Sequence, residues 1–289
     1  MDRKKFIKQS LGASLLGLTA PAALSASTES PTLDALMQQV GFNHLPNKTD
    51  KIMNTVFHKN NTRGHANHGW LDSHHTFSFA NYHNPERMHF GVLRVLNDDK
   101  VSGGMGFGRH PHDNMEIISI PLQGDLEHKD SLGNVAVIRK GDVQVLSAGT
   151  GIFHSEYNKN EGEEVEFLQI WVFPNKKQVA PRYDQISIAD LRKDNEFYQI
   201  LSPNADDQGV WIHQDAWFSL GEFTKETIQE YKLHSKENGV YFFVLEGEAT
   251  VNGQKLEKRD GYGVWDLDSV SVSVNEGSKI LLMEVPMSL

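Results

Sequence analysis

The sequence predicts an all-β protein made of antiparallel sandwich or barrel units, and three observations predict it. Short apolar runs follow one another at residues 90–96, 115–120, 135–138, 143–146 and 167–173, each bounded by Gly, Asp, Asn or Pro. Little sustained 3.6-residue periodicity competes with them between Gly69 and Phe173. The pattern also echoes itself: Val240-Tyr241-Phe242-Phe243-Val244-Leu245-Glu246-Gly247-Glu248 follows the plan of Ile117-Ile118-Ser119-Ile120-Pro121-Leu122-Gln123-Gly124-Asp125. Each apolar run enters a Gly-acidic turn and is followed by a Gly-containing turn, at Gly141-Asp142 and at Asp260-Gly261. This weak repeat indicates two β units of one kind.

Taken in chain order, residues 1–26 carry Arg3, Lys4, Lys5 and Lys8, then an apolar run over 11–18, then small residues up to Ala26. This is the layout of an export signal, and the run is too short for the ~20 residues a bilayer requires. Arg3-Lys4-Lys5-Phe6-Ile7-Lys8 resembles a twin-arginine signal in which Lys4 replaces the second arginine. The expected location is periplasmic, or cytoplasmic if the signal does not function. No later segment is apolar for that length, so no membrane contact is expected after signal removal. Residues 27–53 form a polar segment with one short helical candidate at 33–40. Residues 54–180 make the first β unit and 181–289 the second, divided at the polar stretch 174–181, which prolines frame; a short helix is expected at 188–192.

The 289 residues suit one or two domains. Net charge is −10, and it becomes −13 without residues 1–26, which hold four basic groups and one acidic group. Phosphate binding needs a basic face, so nucleic acid is not an expected partner. Zero cysteines exclude disulfides, thiolate metal sites, Fe–S clusters and a cysteine nucleophile. Any metal is therefore held by nitrogen and oxygen. Eleven of the 14 histidines fall between His58 and His154, which directs the search for a site there.

Within Gly104-Met105-Gly106-Phe107-Gly108-Arg109-His110-Pro111-His112-Asp113-Asn114-Met115-Glu116, a strand presents His110 and His112 to one face, because side chains alternate with period two. His154 and Glu156 form a second such pair. Three imidazoles and a carboxylate suit Fe, Ni, Cu, Mn or Zn. Hydrogen bonding between His154 and Glu156 on a surface strand is the competing reading, and burial would make it costly without a cation.

These motifs, with Gly141-Asp142-Val143-Gln144 and Ala148-Gly149-Thr150-Gly151-Ile152-Phe153 ahead of His154, resemble the two metal motifs of a cupin. More closely, the chain resembles the pirin family. The residues that carry this are Gly69-Trp70-Leu71, His75-Thr76-Phe77-Ser78-Phe79-Ala80, Phe90-Gly91, Leu93-Arg94-Val95, Gly106 to His112, His128-Lys129-Asp130-Ser131 and Gln169-Ile170-Trp171-Val172. The match is dense from about Arg63 to Gln185 and an outline elsewhere.

The resemblance implies two jelly-roll cupin barrels packed face to face, with one divalent transition metal in the first. The implied ligands are His110, His112, His154 and Glu156; Fe(II) comes first, and Ni, Mn, Cu or Zn also suit the set. Glu116 is assigned a structural or supporting role. With Gly247 aligned on Gly124, Leu233 and Ser235 fall at the ligand positions of the second barrel, so no metal is expected there. The implied activity is that of a dioxygenase, quercetin 2,3-dioxygenase in type, which opens a flavonol ring with O₂ and releases CO. Glu156 would serve as general base. The expected partners are a small flavonol-like aromatic substrate and O₂, with the chain a monomer. The other reading in the family is a non-catalytic, metal-binding and redox-sensing interaction protein. His74 and His75 are expected to be structural. His58, His65, His68, His83 and His89 follow no ligand spacing, His128 reads as part of a turn, and Trp171 and Phe173 read as core.

Overall fold

The computed structural model describes residues 53–289. The expected export signal and nearly all of the polar segment, with its helical candidate, lie outside the described residues. Twelve strands come first: β1 (Asn54–His58), β2 (Gly64–Asn67), β3 (Leu71–His75), β4 (Leu93–Val101), β5 (Gly106–His112), β6 (Glu116–Gln123), β7 (Asp125–Asp130), β8 (Val135–Arg139), β9 (Asp142–Ser147), β10 (Ile152–Asn158), β11 (Val165–Val172) and β12 (Arg182–Ser187). Ten follow: β13 (Phe197–Ser202), β14 (Val210–Trp211), β15 (Trp217–Phe223), β16 (Thr227–Lys232), β17 (Asn238–Glu246), β18 (Glu248–Val251), β19 (Gln254–Glu257), β20 (Gly261–Trp265), β21 (Ser269–Val274) and β22 (Ser278–Pro286). The expected helix at 188–192 is a single 3-10 turn, Ala189–Leu191. Among the described residues no helix is long and apolar enough to cross a membrane.

The strands form two matching pairs of sheets. In the first barrel a seven-stranded sheet, β12-β9-β6-β11-β4-β3-β2, accompanies a four-stranded sheet, β5-β10-β7-β8. In the second, β1-β20-β17-β22-β15-β13-β14 accompanies β16-β21-β18-β19. The repeat visible in the sequence is the step from β6 to β7 and from β17 to β18. Both steps turn at a glycine in the left-handed region, Gly124 at φ 72° and Gly247 at φ 74°, a conformation that other residues adopt only at a cost.

Strand alternation explains why these runs are continuously apolar. Ile118, Ile120, Leu168 and Ile170 face Tyr241, Phe243, Leu281 and Met283 in one core shared by the two large sheets. The opposite face of β17 and β22 packs Val240, Phe242, Val244, Ile280 and Leu282 into the interior of the second barrel. A sheet buried on both faces has no polar stripe.

Two features depart from the sequence reading. The chain exchanges edge strands across the expected division at 180/181: β1 pairs with β20 of the second large sheet, and β12 pairs with β9 of the first. Each edge strand thus satisfies backbone groups that the other half would leave open. The run expected at 90–96 is displaced to Leu93–Val101. Gly91, at φ 52°, turns the chain just ahead of it. The strand then continues through Asn97-Asp98-Asp99-Lys100, which reads as a turn but whose first three side chains are buried. Distant partners make that burial tolerable: Asp98 accepts from Arg63 and pairs with Arg259, and Asp99 accepts from Ser73.

Candidate metal centre

The two histidine motifs lie on neighbouring antiparallel strands. In the register of β5 and β10, His110 pairs with His154 and His112 with Ile152; a bulge between His154 and Glu156 then sets Glu156 opposite Phe107. Along β10 the buried positions are Ile152, His154, Glu156 and Asn158, so alternation turns both candidate ligands inward. The rings of His110, His112 and His154 lie 4.4 to 4.9 Å apart, centroid to centroid. One nitrogen from each falls within 4.8 Å of the others. The close approach of the strands depends on Gly106, where any Cβ would run into the backbone of Glu156 and Tyr157.

Hydrogen bonding assigns the ring nitrogens. Nδ1 of His110 lies 2.8 Å from the carbonyl of Gly108, which only accepts, so Nδ1 donates and Nε2 is the nitrogen left to ligate a metal. Nε2 of His154 is buried and has no hydrogen-bond partner among the described residues. An unpaired buried nitrogen costs about 1–3 kcal/mol, which a bound cation would remove. Burial, with the neighbouring His110 and His128, pushes His154 down to about 3. Burial and the adjacent His154 and His110 push His112 down to about 4. Both rings are therefore neutral at pH 7, the form that ligates metal.

Glu156 is 2 % exposed, and both of its oxygens are held. Ser119 Oγ donates to Oε1 at 2.9 Å and Gln169 Nε2 donates to Oε2 at 2.7 Å. Its side chain joins a second group, His128, His154 and Glu156, with ligand atoms within 4.8 Å of one another. Glu116 belongs to neither group among the described residues. It accepts from Ser147 Oγ at 2.6 Å, and burial raises it to about 7 against that bond and the charge of Arg182.

Sequence reasoning missed Ser119, Gln169 and His128. Ser119 sits inside an apolar strand where nothing local marks it, and Gln169 stands in a motif that carries the family resemblance without a role being assigned to it. His128 was expected in a turn, yet it lies in β7, fully buried, with Nε2 3.1 Å from Oδ2 of Asp130 and Nδ1 3.5 Å from Nδ1 of His154. The period-two spacing of His128 and Asp130 is the signal that could have found it. Burial pushes the Asp130 carboxyl up, but the bonds from Asn134, His128 and Leu132 outweigh it and hold the group below the usual carboxylate range.

The three histidines and Glu156 line one cavity of about 420 Å³. Its other walls include Phe79, Tyr82, Phe107 and Trp171. Trp171, expected as core, meets His112 edge-on at 4.9 Å and Phe79 at 5.4 Å. Asp99 also faces it; burial above all lifts its carboxyl to about 7. His75 donates to Ser73, which donates in turn to Asp99, so His75 holds the wall. His65, Asp72 and His74 form a partly exposed group on β2 and β3.

The second barrel differs at every one of these positions. Where β5 and β10 oppose His110 to His154 and Phe107 to Glu156, β16 and β21 oppose Tyr231 to Val270 and Gln229 to Val272. Tyr231 and Leu233 thus occupy the ligand positions expected for Leu233 and Ser235, because spacing from Gly247 does not carry across the intervening loops. Val251, opposite Val272, stands where His128 stands opposite Glu156.

The family described as Pirin matches residues 56–172, and the Quercetinase C-terminal cupin domain matches residues 199–285. Quercetin 2,3-dioxygenase of Escherichia coli (strain K12) is 42% identical over 228 residues, 79% of this chain and 97% of its own. A pirin-like protein of Caulobacter vibrioides is 36% identical over 222 residues, 76% of this chain and 95% of its own. The crystal structure of the bacterial pirin YhhW from Escherichia coli in complex with nickel(II) superposes with a TM-score of 0.76 at 41% identity, covering 81% of this chain and 99% of that one.

Proposed function

The chain belongs to the pirin family, and from that membership we propose that it is a metal-dependent dioxygenase that opens the ring of a flavonol with O₂ and releases CO, the quercetin 2,3-dioxygenase reaction. The observation that carries the proposal is the convergence of three histidines and one oriented carboxylate on an aromatic-walled cavity. Its 420 Å³ lies within the range of small-molecule sites, roughly 300–1,000 Å³.

We assign the ion to His110, His112, His154 and Glu156. The orphaned Nε2 of His154 and the nitrogen–oxygen donor set fit a first-row transition metal, with Fe(II) the first candidate; the nickel(II) complex of the relative supports an ion of this class. When bound, the ion supplies Lewis acidity toward an oxyanion and an electronic path to O₂. Ser119 and Gln169 each occupy one lone pair of Glu156 and leave another on each oxygen, positioned to accept the proton of the substrate hydroxyl. Phe79 and Trp171, packed edge to face, offer an apolar wall to the substrate rings and exclude water from the electron-rich flavonolate. Flavonol plus O₂ equals the ring-opened product plus CO, so no external reductant is consumed.

The test loads the purified protein with Fe(II), Ni, Mn or Cu and follows quercetin consumption, O₂ uptake and CO release. Glu156→Gln is expected to lower turnover about 10²- to 10⁴-fold, the usual contribution of a general base. Absence of turnover with every metal would refute the dioxygenase reading. We also propose that the chain is exported through residues 1–26 and acts as a monomer in the periplasm.

A further inference from the structure

We propose that His128 and Asp130 are positioning residues for the metal centre: they form a hydrogen-bonded chain that keeps the proton of His154 on Nδ1 and so presents its Nε2 lone pair to the ion. The inference rests on the reading of His154 as a ligand given above.

Donor and acceptor accounting leaves one direction for every link. Coordination through Nε2 of His154 requires the ring proton on Nδ1. That proton meets Nδ1 of His128 at 3.5 Å, a long hydrogen bond that requires His128 to accept there. The proton of His128 is then on Nε2, 3.1 Å from Oδ2 of Asp130, which accepts it. Asp130 is itself fixed by the backbone N–H groups of Leu132 and Asn134 and by the Asn134 amide. Reversal at any link would point a lone pair of His128 at the carboxylate and a proton of His154 at the ion.

Strand pairing builds this chain. Across β7 and β10, Asp130 pairs with His154 and His128 with Glu156. The side chains of His128 and Asp130 are both 0% exposed, and the Tyr183 ring lies on His128 with centroids 4.7 Å apart. Ligands and relay are also absent together from the second barrel, where Val270, Val272 and Val251 fill the corresponding places. Groups that orient a ligand in this way typically contribute a factor of about 10–100 to metal affinity.

The experiment measures Ni(II) affinity by chelator competition, with the absorption spectrum of the bound ion, for the wild type, His128→Leu and His128→Asn. Leucine fills the space without an acceptor, whereas asparagine places Oδ1 near the position of Nδ1. His128→Leu is expected to weaken binding about 10- to 100-fold and shift the spectrum, and His128→Asn to recover most of both. Affinity of the leucine variant within threefold of wild type, or an asparagine variant as weak as leucine, would overturn the inference. Should the leucine variant not fold, ¹⁵N NMR of the Zn(II)-loaded wild type decides: the inference requires Nε2–H on His128 and Nδ1–H on His154, and Nδ1–H on His128 refutes it. A wild type that binds no metal at all would sink the metal centre itself and this inference with it, a result distinct from binding that ignores His128.

Discussion

Gly106 and Gly108 stand two residues apart in one motif, and the structure predicts opposite outcomes for the same substitution. A Cβ added at Gly106 would lie 2.3 Å from the carbonyl oxygen of Glu156 and 2.5 Å from Cα of Tyr157, both backbone atoms of β10. The first is about 1.1 Å short of ordinary contact, and backbone cannot rotate away. Relief requires β5 to separate from β10, which carries His110 and His112 away from His154 and Glu156. A Cβ at Gly108 meets nothing nearer than Tyr157 Oη at 3.8 Å. Overpacking of this kind costs about 1–3 kcal/mol, and a displacement near 1 Å at a reactive centre typically costs about 10²-fold. Gly106→Ala is therefore expected to lose about 1–3 kcal/mol of stability by urea titration and at least 10-fold in metal affinity by chelator competition. Gly108→Ala should stay within about 0.5 kcal/mol and keep its metal. A Gly106→Ala protein with wild-type stability and metal content would refute the strand-approach argument.

Three further outcomes can be checked, two from the structure and one from the sequence. Glu116 is held near 7 in the fold against 4.5 unfolded, so the folded state binds the extra proton between those values and stability falls as pH rises through that window. Glu116→Gln should therefore equal wild type near pH 4.5 and exceed it by about 1–3 kcal/mol at pH 8, measured by urea titration at both pH values; equal stability at both would contradict the burial argument. Asp98→Ala leaves the guanidinium groups of Arg63 and Arg259 in the interior without their shared carboxylate, and is expected to cost about 3–5 kcal/mol by thermal or urea unfolding. Fractionation should recover a chain shortened by about 26 residues from the periplasm; a full-length cytoplasmic chain would overturn the export proposal.

The apolar strands were legible because both faces of the large sheets are buried, which writes continuous apolar runs such as Val240 to Leu245 into the chain. The ligand pairs were legible for a related reason: His110 with His112, and His154 with Glu156, share a face through strand geometry alone. Strand β4 was misplaced because Asn97-Asp98-Asp99 reads as turn wherever its partners are out of view, and Arg63, Ser73 and Arg259 are distant in the chain. His128 carried a local signal in its two-residue spacing from Asp130, but its link to the metal centre runs through His154, 26 residues away.

The amino-acid order by itself determined the all-β class, the exclusion of thiolate chemistry and the two paired ligand motifs, because each depends on composition or on contacts within a few residues. Only the tertiary structure decided that β1 and β12 trade sheets, that Ser119 and Gln169 orient Glu156, and that His128 and Asp130 stand behind His154. The physical reason is that a buried polar group is defined by the partner that satisfies it, and these partners lie 13 to 37 residues away on other strands or, for Asp130, beyond an interposed histidine.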